Sequence, residues 1–160
     1  MSEPRRVRPP RRNLGNTDNK VLDFLVMDAK VFDTKQKALM FAAALGAHIE
    51  KREAVKSTEE GIRWQIFETQ GDNAFIYALA VAETEGLEVL NDADAGDAYV
   101  TIFEEYANAG LIYIDEQILS KPVDPLDALI SLLLDIRSRE DKVVSGLEGI
   151  TSEQLSALGL

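Results

Sequence analysis

The sequence contains no cysteine among its 160 residues, and it has one histidine and one tryptophan. Without cysteine the chain has no disulfide, no thiolate nucleophile and no iron–sulfur or zinc site built on cysteines. The single histidine, His48, has no second histidine or cysteine with which to hold a metal ion. These absences favour a cytoplasmic protein and leave few routes to catalysis.

Long hydrophobic runs are also missing. No run approaches the roughly 20 residues that a membrane span needs. Pro9, Pro10 and polar residues follow the first arginines, at the place where a signal peptide would have its apolar segment. Hydrophobic residues make up 46% of the chain and charged residues 28%, as in ordinary soluble domains. We therefore expect a single soluble domain with no membrane partner.

Positive charge is concentrated at the start of an otherwise acidic chain. The formal net charge is −11, while residues 1–13 alone carry +4 and residues 14–160 carry −15. We predict a flexible arm over residues 1–18, because prolines and turn-forming residues interrupt it. Its candidate binding residues for a partner or a nucleic acid are Arg5, Arg6, Arg8, Arg11 and Arg12.

Guanidinium groups interleaved with proline suit contact with phosphates or carboxylates. The arm is therefore predicted to bind DNA, a partner protein or the acidic body of its own chain. A disordered tail that only improves solubility is the alternative. The acidic body argues against broad contact with nucleic acid, because it repels the phosphate backbone.

Apolar periodicity predicts a mainly α-helical fold, with one compact domain of five or six helices over residues 19–160. A short helix is predicted over residues 19–29, and a stronger one begins after Asp33 or Thr34. Small residues between positions 42 and 46 would let another helix approach this second helix closely.

Two further helices are predicted in the middle of the chain. The first begins at Asp72 or Asn73, is apolar around most of its circumference and is therefore expected to be central. Gly86 is expected to end it in a left-handed turn. The next helix is predicted to begin near Asp97 and to end before Gly110.

Two more helices and one strand pair complete the prediction. Asp124-Pro125 places a proline at a first helical position, where its missing N–H costs nothing. Residues 151–154 form a capping box that predicts a short last helix. Residues 62–66 alternate between apolar and polar side chains, so the sequence allows a minor two-stranded element with residues 111–114.

The motifs of common catalytic sites are missing: there is no P-loop, dinucleotide fingerprint or nucleophile elbow. Residues 92–97 are rich in aspartate but fail as a calcium-binding loop, because Phe103 occupies the position of the last ligand. We interpret them as an acidic turn. His48 follows Phe41 by seven residues, so we expect it on or beside a buried stripe, as a structural residue.

Three pairs of neighbouring acids remain: Glu59 with Glu60, Glu83 with Glu85, and Glu104 with Glu105. Neighbouring helical residues point to different sides, so each pair is expected to lie on a solvated face.

The aromatic residues Trp64, Phe67 and Tyr77 are expected to form a core cluster rather than a platform that stacks nucleic-acid bases. We therefore predict no catalytic residue, no cofactor, no metal and no enzymatic activity.

Five blocks of sequence carry a family resemblance. They are residues 5–11 (Arg-Arg-Val-Arg-Pro-Pro-Arg), 31–46, 62–67 (Ile-Arg-Trp-Gln-Ile-Phe), 78–90 and 102–111. Together they resemble the Dnd system-associated protein family, small accessory proteins encoded beside bacterial and archaeal DNA phosphorothioation systems. The resemblance spans residues 5–114, residues 115–160 add little to it, and no block is a catalytic signature.

The resemblance implies a role in phosphorothioation-linked defence against foreign DNA. Without cysteine the chain is not a sulfur carrier, and without a P-loop a nucleotide-hydrolysing role has no support. The leading hypothesis is a non-enzymatic accessory protein that docks on the larger protein components of a modification or restriction system. The alternatives are a DNA-binding factor that uses the arm and an acidic DNA mimic that inhibits a nuclease.

Overall fold

The computed structural model describes residues 7–11, 16–56, 61–91 and 98–148, and within them it contains helices and no strand. The α-helices are α1 Asn16–Asp23, α2 Lys35–His48, α3 Trp64–Gln70, α4 Asn73–Thr84, α5 Ala98–Ile114 and α6 Pro125–Glu148. The predicted mainly α fold of five or six helices is thus confirmed. These helices fall into two compact units, with α1 to α5 within residues 1–120 and α6 within residues 121–160.

Short helical segments of other types follow three of the α-helices. The π-helical segments Phe24–Asp28 and Asp115–Leu119 follow α1 and α5, and the 3-10 turn Leu87–Leu90 follows α4. The prediction of a helix over residues 19–29 is confirmed by α1 and its π-helical extension. The minor strand pair is wrong, because residues 64–66 begin α3 and residues 111–114 are the last turn of α5.

The centre of the first unit is α5, in which twelve of seventeen residues are buried. The prediction that α4 would be central is wrong, since α4 buries only Ile76 and Ala80. Both helices are apolar around most of their circumference, so composition alone does not say which of them is enclosed. One side of α4 packs on α5, and the other remains open.

The closest helix contact in this unit joins α2 to α5, which cross antiparallel. A Cβ atom added at Gly46 would lie less than 3.0 Å from the carbonyl oxygen of Tyr106. One added at Gly110 would lie equally close to the carbonyl oxygen of Ala42. Each glycine therefore admits the backbone of the other helix, which confirms the close approach predicted from the small residues of α2.

Helix ends follow the predicted positions in part. The Thr34 hydroxyl accepts a hydrogen bond from the Lys37 N–H at 3.3 Å and caps α2 as predicted. The carboxylate of Asp72 precedes α4 but accepts a hydrogen bond from the Gln36 side chain instead of capping the helix.

Two glycines do not end helices as predicted. The left-handed residue after α4 is Glu85, with a φ of 54°, and not Gly86. Gly110 lies inside α5 and does not form a turn. The absence of a side chain there lets the backbone of α2 approach.

The start of α6 is as predicted. The Asp124 carboxylate accepts hydrogen bonds from the N–H groups of Leu126 and Asp127 at 2.9 and 3.1 Å, and Pro125 is the first helical residue. The predicted helix start at Asp97, the acidic turn at residues 92–97 and the capping box at 151–154 lie outside the described residues.

Aromatic rings fill the core beside α5. The ring centroid of Trp64 lies 6.0 Å from those of Phe67 and Tyr77 and 5.7 Å from that of Tyr99. Trp64 and Phe67 are buried, so the predicted core cluster is confirmed.

Candidate functional site

The described part of the arm lies against α5 and the residues that precede α3. The N–H group of Ile62 donates a hydrogen bond to the carbonyl oxygen of Pro10 at 3.0 Å. Pro10 is buried, and a side chain at Gly61 would collide with the Pro10 carbonyl group. Residues 7–11 are therefore held by the backbone as well as by their arginines.

Glu104, on α5, binds two arginines of the arm. The Arg8 Nη1 and Nη2 atoms donate to the two carboxylate oxygens at 2.5 and 2.9 Å, and Nη2 also donates to the Thr101 hydroxyl at 2.8 Å. The Arg11 N–H and Nε groups both donate to Oε1, the second at 3.2 Å. The Glu104 side chain is only 1% exposed.

This arrangement solves the problem of a buried charge. A carboxylate removed from water is strongly unfavourable unless a cation and hydrogen bonds compensate it. The paired fork of Arg8 matches the planar carboxylate, and the Arg11 backbone adds a further donor. The acidic body thus provides a guanidinium site, and the chain's own arm occupies it.

The five arginines predicted as binding residues separate into two groups. Arg8 and Arg11 meet at Glu104, whereas Arg5, Arg6 and Arg12 lie outside the described residues. The structure thus favours the self-docking interpretation for Arg8 and Arg11.

Sequence reasoning missed Glu104, for which a solvated face was predicted; that prediction is wrong. A signal was present in the sequence. Glu104 shares the stripe of Val100, Ala107 and Leu111, which recur at spacings of three and four residues. A lone carboxylate on such a stripe requires a cation and hydrogen bonds to compensate its charge.

Glu105 points to another side of α5, as expected for adjacent helical residues. Arg52, in the loop after α2, donates through Nε and Nη2 to the Glu105 Oε2 atom at 2.8 and 2.5 Å. Arg52 Nη1 and the Tyr106 hydroxyl both donate to the carboxylate of Glu83, on α4. This cluster of Arg52, Glu83, Glu105 and Tyr106 joins the ends of α2 and α4 to α5.

The cluster alters the acid–base behaviour of its members. The hydrogen bond from Tyr106, followed by that from Arg52, lowers the pKa of Glu83. Burial, and then the hydrogen bond to Glu83, raises the pKa of Tyr106. At neutral pH the cluster therefore holds a carboxylate at Glu83 and a neutral phenol at Tyr106.

Two depressions lie one after the other along α2 and α4, and Tyr106 of α5 lines the second. The first, of about 440 Å³, is apolar, and it is lined by Phe32, Lys37, Met40, Phe41, Ala44, Asp72 and Phe75. The second, of about 600 Å³, is lined by Ala47, Glu50, Arg52, Leu79, Ala82, Glu83 and Tyr106. Ala44 and Ala47 lie one turn apart, as do Phe75 and Leu79, so the two depressions follow the same pair of helices. We call them together the α2–α4 groove.

His48 does not take part in these sites. It is the last residue of α2 and is exposed, so the predicted position on or beside the buried stripe is wrong. The pair Glu59–Glu60 lies outside the described residues, and Glu85 is exposed as predicted.

The described part of the chain offers neither a metal site nor a membrane-spanning helix. There, no group of three or more histidine or acidic side chains is arranged to hold a metal ion. In the same residues, no helix has both the length and the apolar character needed to cross a membrane.

A family model described as DNA sulphur modification system-associated protein 4 matches residues 17–148 of the chain. No curated protein and no solved structure was found to match it. The matched region contains α2 to α6 entirely and begins after the arginines of the arm. Residues 5–11 thus lie outside the match, although they belong to the resemblance seen in the sequence, and residues 115–148 lie inside it.

Proposed function

Because the chain belongs to the family of DNA sulphur modification system-associated protein 4, we propose that it is a non-enzymatic accessory protein that docks on the larger protein components of such a system. In this role it acts in the cytoplasm and supports modification or restriction in the defence against foreign DNA. Its contribution is a binding surface.

The observation that carries this proposal is the pairing of Arg8 and Arg11 with the buried Glu104. A basic arm on an acidic body would otherwise favour DNA as the partner. With two guanidinium groups used internally, the arm has less charge to offer to phosphates, and the surface of the body is left predominantly acidic.

DNA contact through these two arginines would also be costly. A duplex that took Arg8 and Arg11 would leave Glu104 buried without its cations. Removal of one partner from a buried ion pair costs roughly 3–5 kcal/mol. A protein partner with a basic surface requires no such loss, because it can bind the exposed carboxylates directly.

The direct test is recovery of partners on the tagged full-length chain from cells that express the complete modification and restriction system. The lysate is treated with nuclease, so that DNA cannot bridge two proteins. We expect at least one protein component of the system to be recovered, and recovery to decrease as salt is raised, because the surfaces are charged. Recovery of no component under low-salt conditions would overturn the proposal.

A paired comparison addresses DNA directly. Arg5, Arg6 and Arg12 are replaced by alanine in one variant, and Arg8 and Arg11 in another. If the protein has the docking role, duplex DNA should bind the wild-type chain only weakly. Both variants should still recover the protein partner from nuclease-treated lysate. Tight, steeply salt-dependent DNA binding that disappears in either variant, while circular dichroism shows that variant to be folded, would instead support the DNA-binding role.

A further inference from the structure

The α2–α4 groove has the properties of a binding site for a helix. It is walled by two helices that run in the same direction, because the first turns of α2 and α4 line the first depression and their last turns line the second. From Lys37 to Ala47 the groove follows α2 for about 15 Å, at 1.5 Å per residue. That length accommodates about three turns of a bound helix.

The two ends of the groove differ in chemistry. The first depression has aromatic and aliphatic walls, with the rings of Phe32 and Phe41 5.3 Å apart, and its polar rim carries one positive and one negative charge, Lys37 and Asp72. Large apolar side chains that line an open depression are typical of an interaction site. This end is suited to apolar anchors.

The second depression is acidic. Glu50, Glu83 and the guanidinium group of Arg52 line it, and Arg52 is already hydrogen-bonded to Glu83 and, at the edge of the depression, to Glu105. Glu50 is exposed and lines this depression together with Tyr106. Both α2 and α4 also end here, and the C-termini of helices carry partial negative charge. This end is suited to a lysine or arginine.

We propose that the α2–α4 groove binds an amphipathic helix of a basic partner protein, with apolar side chains in the first depression and a lysine or arginine beside Glu50 in the second. The small side chains of Ala44, Ala47 and Ala82 let the backbone of that helix approach closely. Binding of this kind uses anchors spaced at three and four residues on the bound helix. The inference rests on the proposed docking function and assigns its site.

A second copy of this chain is a poor occupant by charge. Its α6 is the available amphipathic helix, with Leu126, Ile130, Leu133 and Leu134 exposed on the surface. However, α6 contains five acidic and three basic residues, on a chain of net charge −11. Like charges would meet at the acidic end of the groove, so the groove selects a partner of opposite charge.

The chain's lack of cysteine allows a direct test by site-specific crosslinking. The variants Ala44→Cys and Ala82→Cys place a photoreactive maleimide label in the first and second depressions. Ala74→Cys is the matched control, because Ala74 is exposed on α4 and lines neither depression. Each labelled full-length protein is mixed with the system component that the tagged chain recovers, irradiated and analysed by mass spectrometry.

We expect Ala44→Cys and Ala82→Cys, but not Ala74→Cys, to crosslink to one segment of that component with helical apolar spacing and at least one lysine or arginine. Crosslinks to a second copy of this chain, to its own residues 149–160, or from the control position alone would overturn the groove assignment. The docking function would stand in those cases, because the partner is still recovered. If no component is recovered in the first place, both proposals fail.

A charge test separates the acidic end from general surface electrostatics. Glu50 and Glu85 are both exposed and share a φ of 54°, but only Glu50 lines the groove. We expect Glu50→Lys to weaken partner binding by about tenfold or more, and Glu85→Lys by no more than about twofold. Equal loss in the two variants would show that the groove is not the binding site. Thermal unfolding of both variants checks that each is folded.

Discussion

The two terminal nitrogens of Arg8 donate to the two carboxylate oxygens of Glu104, 96 positions away in the sequence, at 2.5 and 2.9 Å. This contact reverses the simple interpretation of the charge pattern. The arm is positive and the body is negative, and two of the arm's arginines are already bound by the body. The surface that remains open to a partner is therefore acidic, and a partner with a basic surface complements it better than one with an acidic surface.

The first prediction concerns the asymmetry of this ion pair. Replacement of both Arg8 and Arg11 by alanine should lower the free energy of unfolding by about 3–5 kcal/mol, because Glu104 is then buried without a cation. Glu104→Gln should cost less, since both arginines are partly exposed and can turn to solvent. Urea unfolding followed by the fluorescence of Trp64, the one tryptophan, measures both values.

A rescue variant tests the explanation. The addition of Glu104→Met to the two alanine replacements should recover much of the lost stability, because no buried charge remains. Glu116→Gln, at an exposed acidic position on the π-helical segment after α5, should change stability by less than about 0.5 kcal/mol. An equal loss of unfolding free energy in Glu104→Gln and in the variant that replaces both Arg8 and Arg11 would contradict this account.

The second prediction concerns the crossing of α2 and α5. Gly46→Ala and Gly110→Ala should each destabilise the protein by about 1–3 kcal/mol or more, because the new methyl group meets a backbone carbonyl that cannot move alone. This occurs although alanine is the better helix former by about 1 kcal/mol. Ala44→Ser, at an exposed position of α2, is the control and should change stability by less than about 0.5 kcal/mol. The glycine prediction fails if both variants are as stable as the control.

The third prediction concerns pH and uses Tyr106→Phe. The Tyr106 hydroxyl, with Arg52, lowers the pKa of Glu83, so this stabilisation is present above the ordinary glutamate pKa of about 4.3. It is lost as pH falls through the lowered pKa of Glu83 in the folded state. The difference in unfolding free energy between the wild type and Tyr106→Phe should therefore be largest near neutral pH and shrink in acid.

The same comparison between the wild type and Tyr106→Phe also predicts a change in stability at alkaline pH. Burial and the hydrogen bond to Glu83 raise the pKa of Tyr106, which favours the neutral phenol in the folded state. The wild type should lose this stability as pH rises from about 10 through the raised pKa. Tyr106→Phe has no phenol to ionise there. Urea midpoints measured across the pH range test both the acid and the alkaline change, and a difference that does not vary with pH would refute the assignment.

The fourth prediction concerns Asn108, which is buried on α5. Its side-chain Nδ2 donates to the carbonyl oxygens of Glu53 and Ala54 at 3.1 and 3.2 Å, and so ties the loop after α2 to α5. Asn108→Leu should cost about 1–3 kcal/mol, since two carbonyl groups lose their donor. Hydrogen exchange should also speed up in residues 51–56, whereas Asn91→Ala, at an exposed position, should leave it unchanged. If hydrogen exchange in residues 51–56 is as slow in Asn108→Leu as in the wild type, Asn108 does not hold this loop in place.

The sequence predicted the ends of individual helices well, but it predicted poorly which helix is buried at the centre of the fold. The Thr34 cap and the Asp124-Pro125 helix start were readable because a cap depends on residues three positions away or fewer. The central position was assigned to α4 and belongs to α5, because both helices are apolar and only their packing separates them. Residues 62–66 alternate like a strand, yet Trp64 and Phe67 bury their rings from α3.

By itself, then, the sequence determined the helical class, the basic arm on an acidic body, the absence of cysteine chemistry and the family resemblance. These follow from composition and from periodicities within a few residues. Only the tertiary structure decided that Arg8 and Arg11 bind Glu104, that Gly46 and Gly110 serve a helix crossing, and that α2 and α4 leave a groove. Such contacts join residues far apart in the chain, and the free energy of a buried charge or a close backbone contact depends on what surrounds it after folding.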